Sequence, residues 1–330
     1  MAADSSNESE LNDASSHRRE EDLDQSGPGV QRLVYSCPVD HAGTSVYVKG
    51  WYRTELKSTP VLFVHDVGEH FGLYREVAMD ICNRGHNVYG FDLRGHGRSG
   101  RRAGHIPKFS FLVKDLLQVS AWVKNREKGR PPIIVGQGVG ALIVLNFYKF
   151  YAKHCAGIVL ASPSIELIKQ PSAFRSWIVR ILAESSPTMR LPRFLRPKIT
   201  DSAASSAPIK TNHGNVGFDI SHKITARYAH EVIRAIQRSS GHLKALNGEA
   251  LILCPEADNL CRYDSILQTL AGLKERDLVR VEIIANAGHQ LFSGEVNDRT
   301  IATTHLLNWL EGLEKRLVKV STPYEVDDSK

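Results

Sequence analysis

Seven short runs, VYVKGWY, PVLFVH, HNVYGFDL, PIIVG, GIVLAS, EALILCP and RVEIIANA, punctuate the chain from Leu33 onward, and several are apolar at nearly every position. A strand with one wet face alternates apolar and polar residues, whereas a continuously apolar strand needs cover on both faces. That cover is supplied in sequence by segments at about 71–84, 109–127, 139–153, 262–274 and 299–316, which read as amphipathic or apolar helices. Parallel neighbours cannot be joined by a tight turn and need a crossover, most often a helix. The pattern therefore predicts an α/β fold with a mostly parallel, doubly wound sheet. At 330 residues the chain can build this around one core.

The alternation breaks between about 163 and 245. This stretch holds the amphipathic segment Ala173–Leu182, predicted to present Phe174, Ile178, Ile181 and Leu182 on one helical face, then RLPRFLRPK and a polar SAASSA patch. Structureless loops of that length are rare in compact domains, so the segment reads as a helical cap inserted after the sixth strand. The cap helix is expected to pack on the core with a solvated outer face; contact with acyl chains or a membrane surface through its mixed basic and apolar residues is the sharper alternative.

Charge is unevenly distributed. Residues 1–30 hold eight Asp or Glu and two Arg, so a chain of net charge +6 has a tail at −6 and a body at +12. The tail is polar and poor in aromatics, and is expected to be disordered; residues 317–330 are expected to form a flexible C-terminal tail. A basic body attracts anions, but no nucleic-acid-binding motif accompanies it, and no nucleic-acid partner is expected. The five cysteines, Cys37, Cys82, Cys155, Cys254 and Cys261, are odd in number and contain no C-x-x-C, which argues against a disulfide framework or a zinc ribbon. No apolar leader opens the sequence and no span-length apolar run occurs, so a cytoplasmic location is expected, with no metal and no cofactor.

Three polar points fall at the carboxyl ends of predicted strands, where an open parallel sheet places its ligand crevice. PIIVG runs into Gly136-Gln137-Gly138-Val139-Gly140 and a helix, LILCP leads into Glu256-Ala257-Asp258, and EIIANA leads into Gly288-His289. Strand, glycine-flanked turn and helix form the setting of a nucleophile elbow, and elbow, acid, histidine is the chain order of an α/β-hydrolase. Upstream, VLFVH leads into Asp66-Val67-Gly68-Glu69-His70. With its H-x-x-G-E-H-x-x-x-Y and D-L-R-G-H-G-R-S patterns, and with FDISHKITARY and ADNLC further on, the stretch from about 31 to 316 resembles the monoacylglycerol lipase and lysophospholipase branch of the α/β-hydrolase superfamily, often labelled serine aminopeptidase-like.

The resemblance implies Asp258 and His289 as the acid–histidine pair, the backbone N–H groups of Val67 and Val139 as an oxyanion hole, and a serine nucleophile at 138. This chain has Gly138 there. It also has Gln137 where the family usually carries His and Asp66 where the family usually carries Gly. Glycine offers no attacking atom, and removal of the nucleophile from a serine protease costs about 10⁶ in kcat. The expected function is that of a silenced ester hydrolase keeping a pocket for a small acyl or lipid-like ligand. The competing expectation is an active carboxylic-ester hydrolase with a non-standard nucleophile, or an engineered Ser-to-Gly form of one. Ser99, Ser162, Ser164 and Cys261 lie outside the elbow and read as structural, as do the carboxylates Glu69 and Asp92. His86, His105 and His242 read as surface residues. Because every other partner is in place, Gly138→Ser alone is expected to restore ester hydrolysis, and Asp66→Gly to raise it further.

Overall fold

The computed structural model describes residues 29–56, 58–99, 102–200, 223–271 and 277–321. The expected acidic tail therefore lies outside the described residues apart from its last two positions, as do the SAASSA patch and residues 322–330.

Eight strands form one sheet in the order β1-β2-β4-β3-β5-β6-β7-β8. They are β1 (Gln31–Pro38), β2 (Ser45–Tyr52), β3 (Val61–Val64), β4 (Val88–Phe91), β5 (Ile133–Gln137), β6 (Gly157–Ala161), β7 (Ala250–Pro255) and β8 (Val279–Ile284). From β4 across to β8 every neighbouring pair is parallel, while β2 runs antiparallel to both β1 and β4. The β1–β2 hairpin is closed by Asp40, whose Oδ1 accepts the backbone N–H groups of Ala42 and Thr44 at 3.0 and 2.9 Å, the local bonding that lets aspartate shape a turn. β1 is absent from the apolar runs because it is an edge strand whose Gln31, Arg32 and Ser36 face water or its rim.

The helices are α1 (Arg75–Asn83), α2 (Phe109–Arg126), α3 (Val139–Tyr151), α4 (Ala173–Ser185), α5 (Ala226–Leu243), α6 (Asp264–Ala271) and α7 (Val296–Ser321). α7 runs on five residues beyond the expected end at 316. Side chains alternate across the strands, as period two demands. In β3, Val61 and Phe63 join the core under α1 and α7, while Leu62 and Val64 join the core shared with α2, α3 and α5. β7 repeats this, with Leu251 and Leu253 on the first face and Ile252 and Cys254 on the second. Both faces are thus dry, which explains the unbroken apolar runs.

The cap leaves the sheet after β6 and returns at β7, carrying α4 and α5. Their starts are capped by Ser172 and Thr225, whose hydroxyls accept the N–H groups of Arg175 and Tyr228, each at 3.3 Å. α4 corrects the sequence reading. It buries Val179 and Ala183, leaves Ile178 and Leu182 half-buried, and exposes Phe174, Trp177 and Ile181. α5 packs against the small-residue side of α4, so the bulky stripe points outward, with the rings of Phe174 and Trp177 stacked at 6.0 Å. His86 and His242 are also corrected: both are buried, and His86 Nδ1 lies 2.9 Å from the carbonyl of Thr59. All five cysteines are free.

Candidate functional site

The chain crosses from β3 to β4 on one side and places β5 on the other, so the strand order reverses at β3. Adjacent loops part at such a point and leave a crevice at the strands' carboxyl ends. The residues after β3 and β5 meet there.

At the end of β5, Gly138 adopts φ 57° and ψ −118°. That is a backbone region which glycine enters at far lower cost than a residue with a side chain. Two residues on, a Cβ at Gly140 would overlap the carbonyl oxygen of Val64, so α3 can start this close to β3 only with glycine there. The turn is held by the Gly138 N–H, which donates to the carbonyl of Ala161 at 3.0 Å.

At the end of β3, His65 ties two loops together. Its Nε2 accepts the N–H of Leu93 at 2.9 Å, which leaves Nδ1 to donate to the carbonyl of Asp66 at 2.6 Å. Full burial, then the nearby His96, push its pKa well below the usual histidine value, consistent with this neutral form. Glu69 is a buried hub: it accepts from the hydroxyls of Tyr74 and Ser293, from Gln290 Nε2 at 3.2 Å and from the N–H of Asp66 at 3.2 Å. Burial, then the charge of Asp66, raise its pKa to about 7. Gln137 joins the same hub, donating to Ser293 Oγ at 2.9 Å and accepting the N–H of Phe292 at 2.7 Å. Asp92 accepts the N–H groups of Phe71 and Arg98, each at 2.8 Å, and Arg94 grips Asp115 of α2 through Nε at 2.6 Å. Ser99 accepts the N–H of Tyr47 at 2.8 Å and donates to the carbonyl of Asp92. These carboxylates and Ser99 brace loops, as the sequence indicated.

The loops converge on Asp66, which is fully buried. Its Oδ1 accepts two backbone hydrogen bonds, from the N–H of Val67 and from the N–H of Val139, both at 2.7 Å. Its Oδ2 lies 3.4 Å from His289 Nε2. On the other side of that ring, Nδ1 sits 2.7 Å from Asp258 Oδ2, and Asp258 Oδ1 accepts the N–H groups of Leu260 and Cys261 at 2.8 and 3.0 Å. Burial opposes a charged imidazole, yet the hydrogen bond to Asp258 and the approach of the Asp66 carboxyl outweigh it and hold the His289 pKa well above the usual value. An imidazolium between two carboxyl groups is the result.

All five residues singled out in the sequence, Gly138, Asp258, His289, Val67 and Val139, are brought together. Asp66 was expected beside the loop that carries the oxyanion donors; it occupies those donors instead. A Cβ built on Gly138 falls on the Asp66 carboxyl group, so a side chain at 138 requires Asp66 to shift, a condition the expectation for Gly138→Ser alone did not include. Glycine at 138 and aspartate at 66 share one volume. Sequence reasoning also missed Tyr228 and His96. Both are buried, their rings lie 5.8 Å apart, and Tyr228 Oη and His96 Nε2 have no hydrogen-bond partner. Their signal was already in the FDISHKITARY and RGHG motifs.

Asp258, Cys261 and His289 have ligand-type atoms within 4.8 Å of one another. Two donors on a zinc ion about 2 Å away sit well over 3 Å apart. The 2.7 Å Asp258–His289 contact is therefore a hydrogen bond and would have to open to admit a cation. Ser162 and Ser164 are buried with unpartnered hydroxyls and lie off the Gly138 turn. Among the described residues no helix is long and apolar enough to cross a membrane.

The family described as "Serine aminopeptidase, S33" matches residues 57–297. A monoacylglycerol lipase of Mycolicibacterium smegmatis is 26% identical over 237 residues, covering 71% of this chain and 81% of that protein. The monoglyceride lipase of Homo sapiens is 25% identical over 278 residues, covering 82% and 88%. Among solved structures, the monoacylglycerol lipase of Paleococcus ferrophilus superposes with a TM-score of 0.65 at 21% identity, covering 81% of this chain and 99% of the other. A soluble variant of the Saccharomyces cerevisiae monoglyceride lipase, in complex with a substrate analogue, gives 0.65 at 16% identity, covering 84% and 96%. These likenesses agree with the α/β-hydrolase fold.

Proposed function

We propose that this chain, which belongs to the serine aminopeptidase family, is a member silenced for serine-based ester hydrolysis that keeps a crevice for a small acyl or lipid-like ligand. One observation carries the reading: the N–H groups of Val67 and Val139, the two donors expected to hold a developing oxyanion, both bind Asp66 Oδ1. The carboxylate is an internal copy of the charge such a hole receives, so a substrate carbonyl must displace it. Gly138 meanwhile supplies no attacking atom. Loss of the nucleophile costs about 10⁶ in rate, and loss of one oxyanion donor about 3 kcal/mol, so the missing nucleophile is the larger defect. The ligand class is inferred from the monoacylglycerol lipases to which the chain is similar.

A fluorophosphonate probe, read beside hydrolysis of p-nitrophenyl butyrate, tests the reading. Wild type and Gly138→Ser are expected to stay unlabelled and inactive, the second because Asp66 and a serine side chain compete for one space. Asp66→Gly with Gly138→Ser clears the hole and supplies the oxygen; His289 then takes the serine proton while Asp258 orients the ring. Labelling of wild type at any serine, lost in His289→Ala, would overturn the silenced reading.

The cap supports a second element of the proposal, peripheral contact with a lipid surface. Phe174, Trp177 and Ile181 form an exposed apolar stripe, and Arg180, Arg190 and Arg193 lie near it in sequence. Apolar residues beside basic ones favour an anionic interface. Co-sedimentation with phosphatidylserine-containing vesicles should fall when Phe174 and Trp177 are both replaced by Ser, and unchanged sedimentation would remove this element.

A further inference from the structure

A carboxylate held in an oxyanion hole is arranged for its own chemistry. Attack by Asp66 Oδ2 on carbon would give an ester at the Asp66 carboxyl carbon. When water adds to that ester, the negative charge appears on Oδ1, and Oδ1 already accepts the N–H groups of Val67 and Val139 at 2.7 Å. The hole is in place for hydrolysis of an ester formed on the protein itself.

The surrounding groups match the remaining needs. His289 Nε2 faces Oδ2 at 3.4 Å without a hydrogen bond that satisfies it, while Nδ1 is fixed by Asp258. Tyr228, on the first turn of α5, carries a fully buried hydroxyl with no partner, and Asp66 is close enough to oppose loss of its proton. An unpartnered buried donor is costly and calls for an acceptor. Its neighbour His96 has its pKa lowered to about 4, chiefly by burial, and so presents a neutral ring with an unpartnered Nε2. The unmet groups around the carboxylate are thus a hydroxyl, an imidazole edge and the second edge of an imidazolium, enclosed beneath the cap.

The geometry points to Asp66 as a carboxylate nucleophile toward an epoxide, with Tyr228 as proton donor to the ring oxygen and His289 as the group that handles the water. Attack on an acyl carbon would yield an anhydride and would need the hole for a second oxygen; an sp³ carbon needs neither. A hydroxyl donor suits a departing alkoxide.

The step balances. Asp66 Oδ2 bonds to one ring carbon as that carbon's bond to the ring oxygen breaks, and the electron pair leaves on oxygen, which takes the Tyr228 proton. The tyrosinate recovers a proton from the His289 imidazolium through the new hydroxyl. Esterification removes the charge of Asp66, so the imidazole becomes a competent base. Neutral His289 then takes a proton from water as hydroxide adds to the Asp66 carboxyl carbon. The tetrahedral intermediate collapses, and the alkoxide leaves with the proton held on His289. The protonated Asp66 returns its own proton to His289. Epoxide and water have become a vicinal diol.

This inference shares the seating of Asp66 in the hole with the reading above but does not require a lipid ligand or an inert serine. The test uses the full chain with 1,2-epoxyoctane, scoring 1,2-octanediol by mass spectrometry. Wild type is expected to form diol above the buffer rate. Asp66→Asn, which keeps the shape and removes the nucleophile, should lose about 10³-fold or more, and Tyr228→Phe about 10²-fold, with both folds checked by circular dichroism. In a single turnover with protein in excess in H₂¹⁸O, the label should enter the Asp66 peptide and not the diol, because the diol takes its new oxygen from the side chain. Absence of diol from folded wild type, retained turnover in Asp66→Asn, or label appearing first in the diol would each overturn the proposal. Fluorophosphonate labelling bears only on the serine reading, so the two fail separately.

Discussion

The site has two arms that differ in what fixes them. At the ends of β7 and β8, Asp258 and His289 meet through one 2.7 Å hydrogen bond, and Asp258 is oriented by two backbone N–H groups of its own loop. At the ends of β3 and β5, Val67 and Val139 present their N–H groups because backbone geometry requires it, whatever side chains surround them. The first arm keeps the pairing expected of an acid and a histidine. In the second arm, the donors persist but a side chain from position 66 occupies them. Backbone-built donors are therefore present whatever side chains surround them, and the side chains near them decide what they hold. The imidazolium of His289 joins the arms, since both Asp258 and Asp66 raise its proton affinity.

The sharpest way to break this comparison is to swap the occupants of the second arm. Asp66→Gly with Gly138→Ser should raise p-nitrophenyl butyrate hydrolysis by about 10³-fold or more over wild type, while either single change stays near the wild-type baseline. Equal activity in Gly138→Ser alone would show that Asp66 moves aside readily.

Stability should register the same competition. Gly138→Ala is expected to cost about 3 kcal/mol, from a positive-φ penalty of about 1 and overpacking against the Asp66 carboxyl of about 1–3. In an Asp66→Gly background the cost should fall to about 1 kcal/mol, because only the backbone term remains. Urea melts of the four proteins form a double-mutant cycle, and a coupling near zero would mean the two positions do not compete.

The pH dependence tests the join between the arms. His289 binds its proton more tightly folded than unfolded, so stability falls as pH rises from the ordinary histidine value through the raised one. Glu69, raised from 4.5 to about 7, retains its proton in the folded state where the unfolded chain has lost it, so stability also falls across that lower window. Above the ordinary histidine value unfolding free energies should decline with pH; below it the depressed His65 and His96 act against Glu69, so the Glu69 contribution is read from the difference between wild type and Glu69→Gln. Glu69→Gln should flatten the acid part and Asp66→Asn the upper part. A wild-type profile that rises with pH above the ordinary histidine value would contradict the His289 assignment, and an acid limb unchanged in Glu69→Gln would contradict that of Glu69.

Much of this was legible in the sequence. Unbroken apolar runs gave the two-faced sheet, and Gly138, Asp258 and His289 each follow the strand from which they were read. β1 was not legible, because an edge strand with Gln31, Arg32 and Ser36 lacks the apolar run of a covered one. Nor was the outward stripe of α4, since periodicity reports that a helix has an apolar face and not which neighbour claims it. Asp66 was read as a nearby charge. Its placement depends on a side-chain rotamer reaching across from β3 to the start of α3, and a one-dimensional pattern carries no such distance. Tyr228 lies within the cap, three strands along the chain from Asp66, and only the fold brings it close.

The shared volume of Gly138 and Asp66 also sets the order in which this chain could change. Serine at 138 is obstructed while aspartate stays at 66, and glycine at 66 alone opens a hole with nothing beside it to attack. Neither change alone gives an open hole with an attacking atom beside it, so serine-based hydrolysis stands two substitutions away from this chain and not one. The pair acts as an epistatic lock: what position 138 can carry depends on what position 66 carries, so a change at either is felt first at the other.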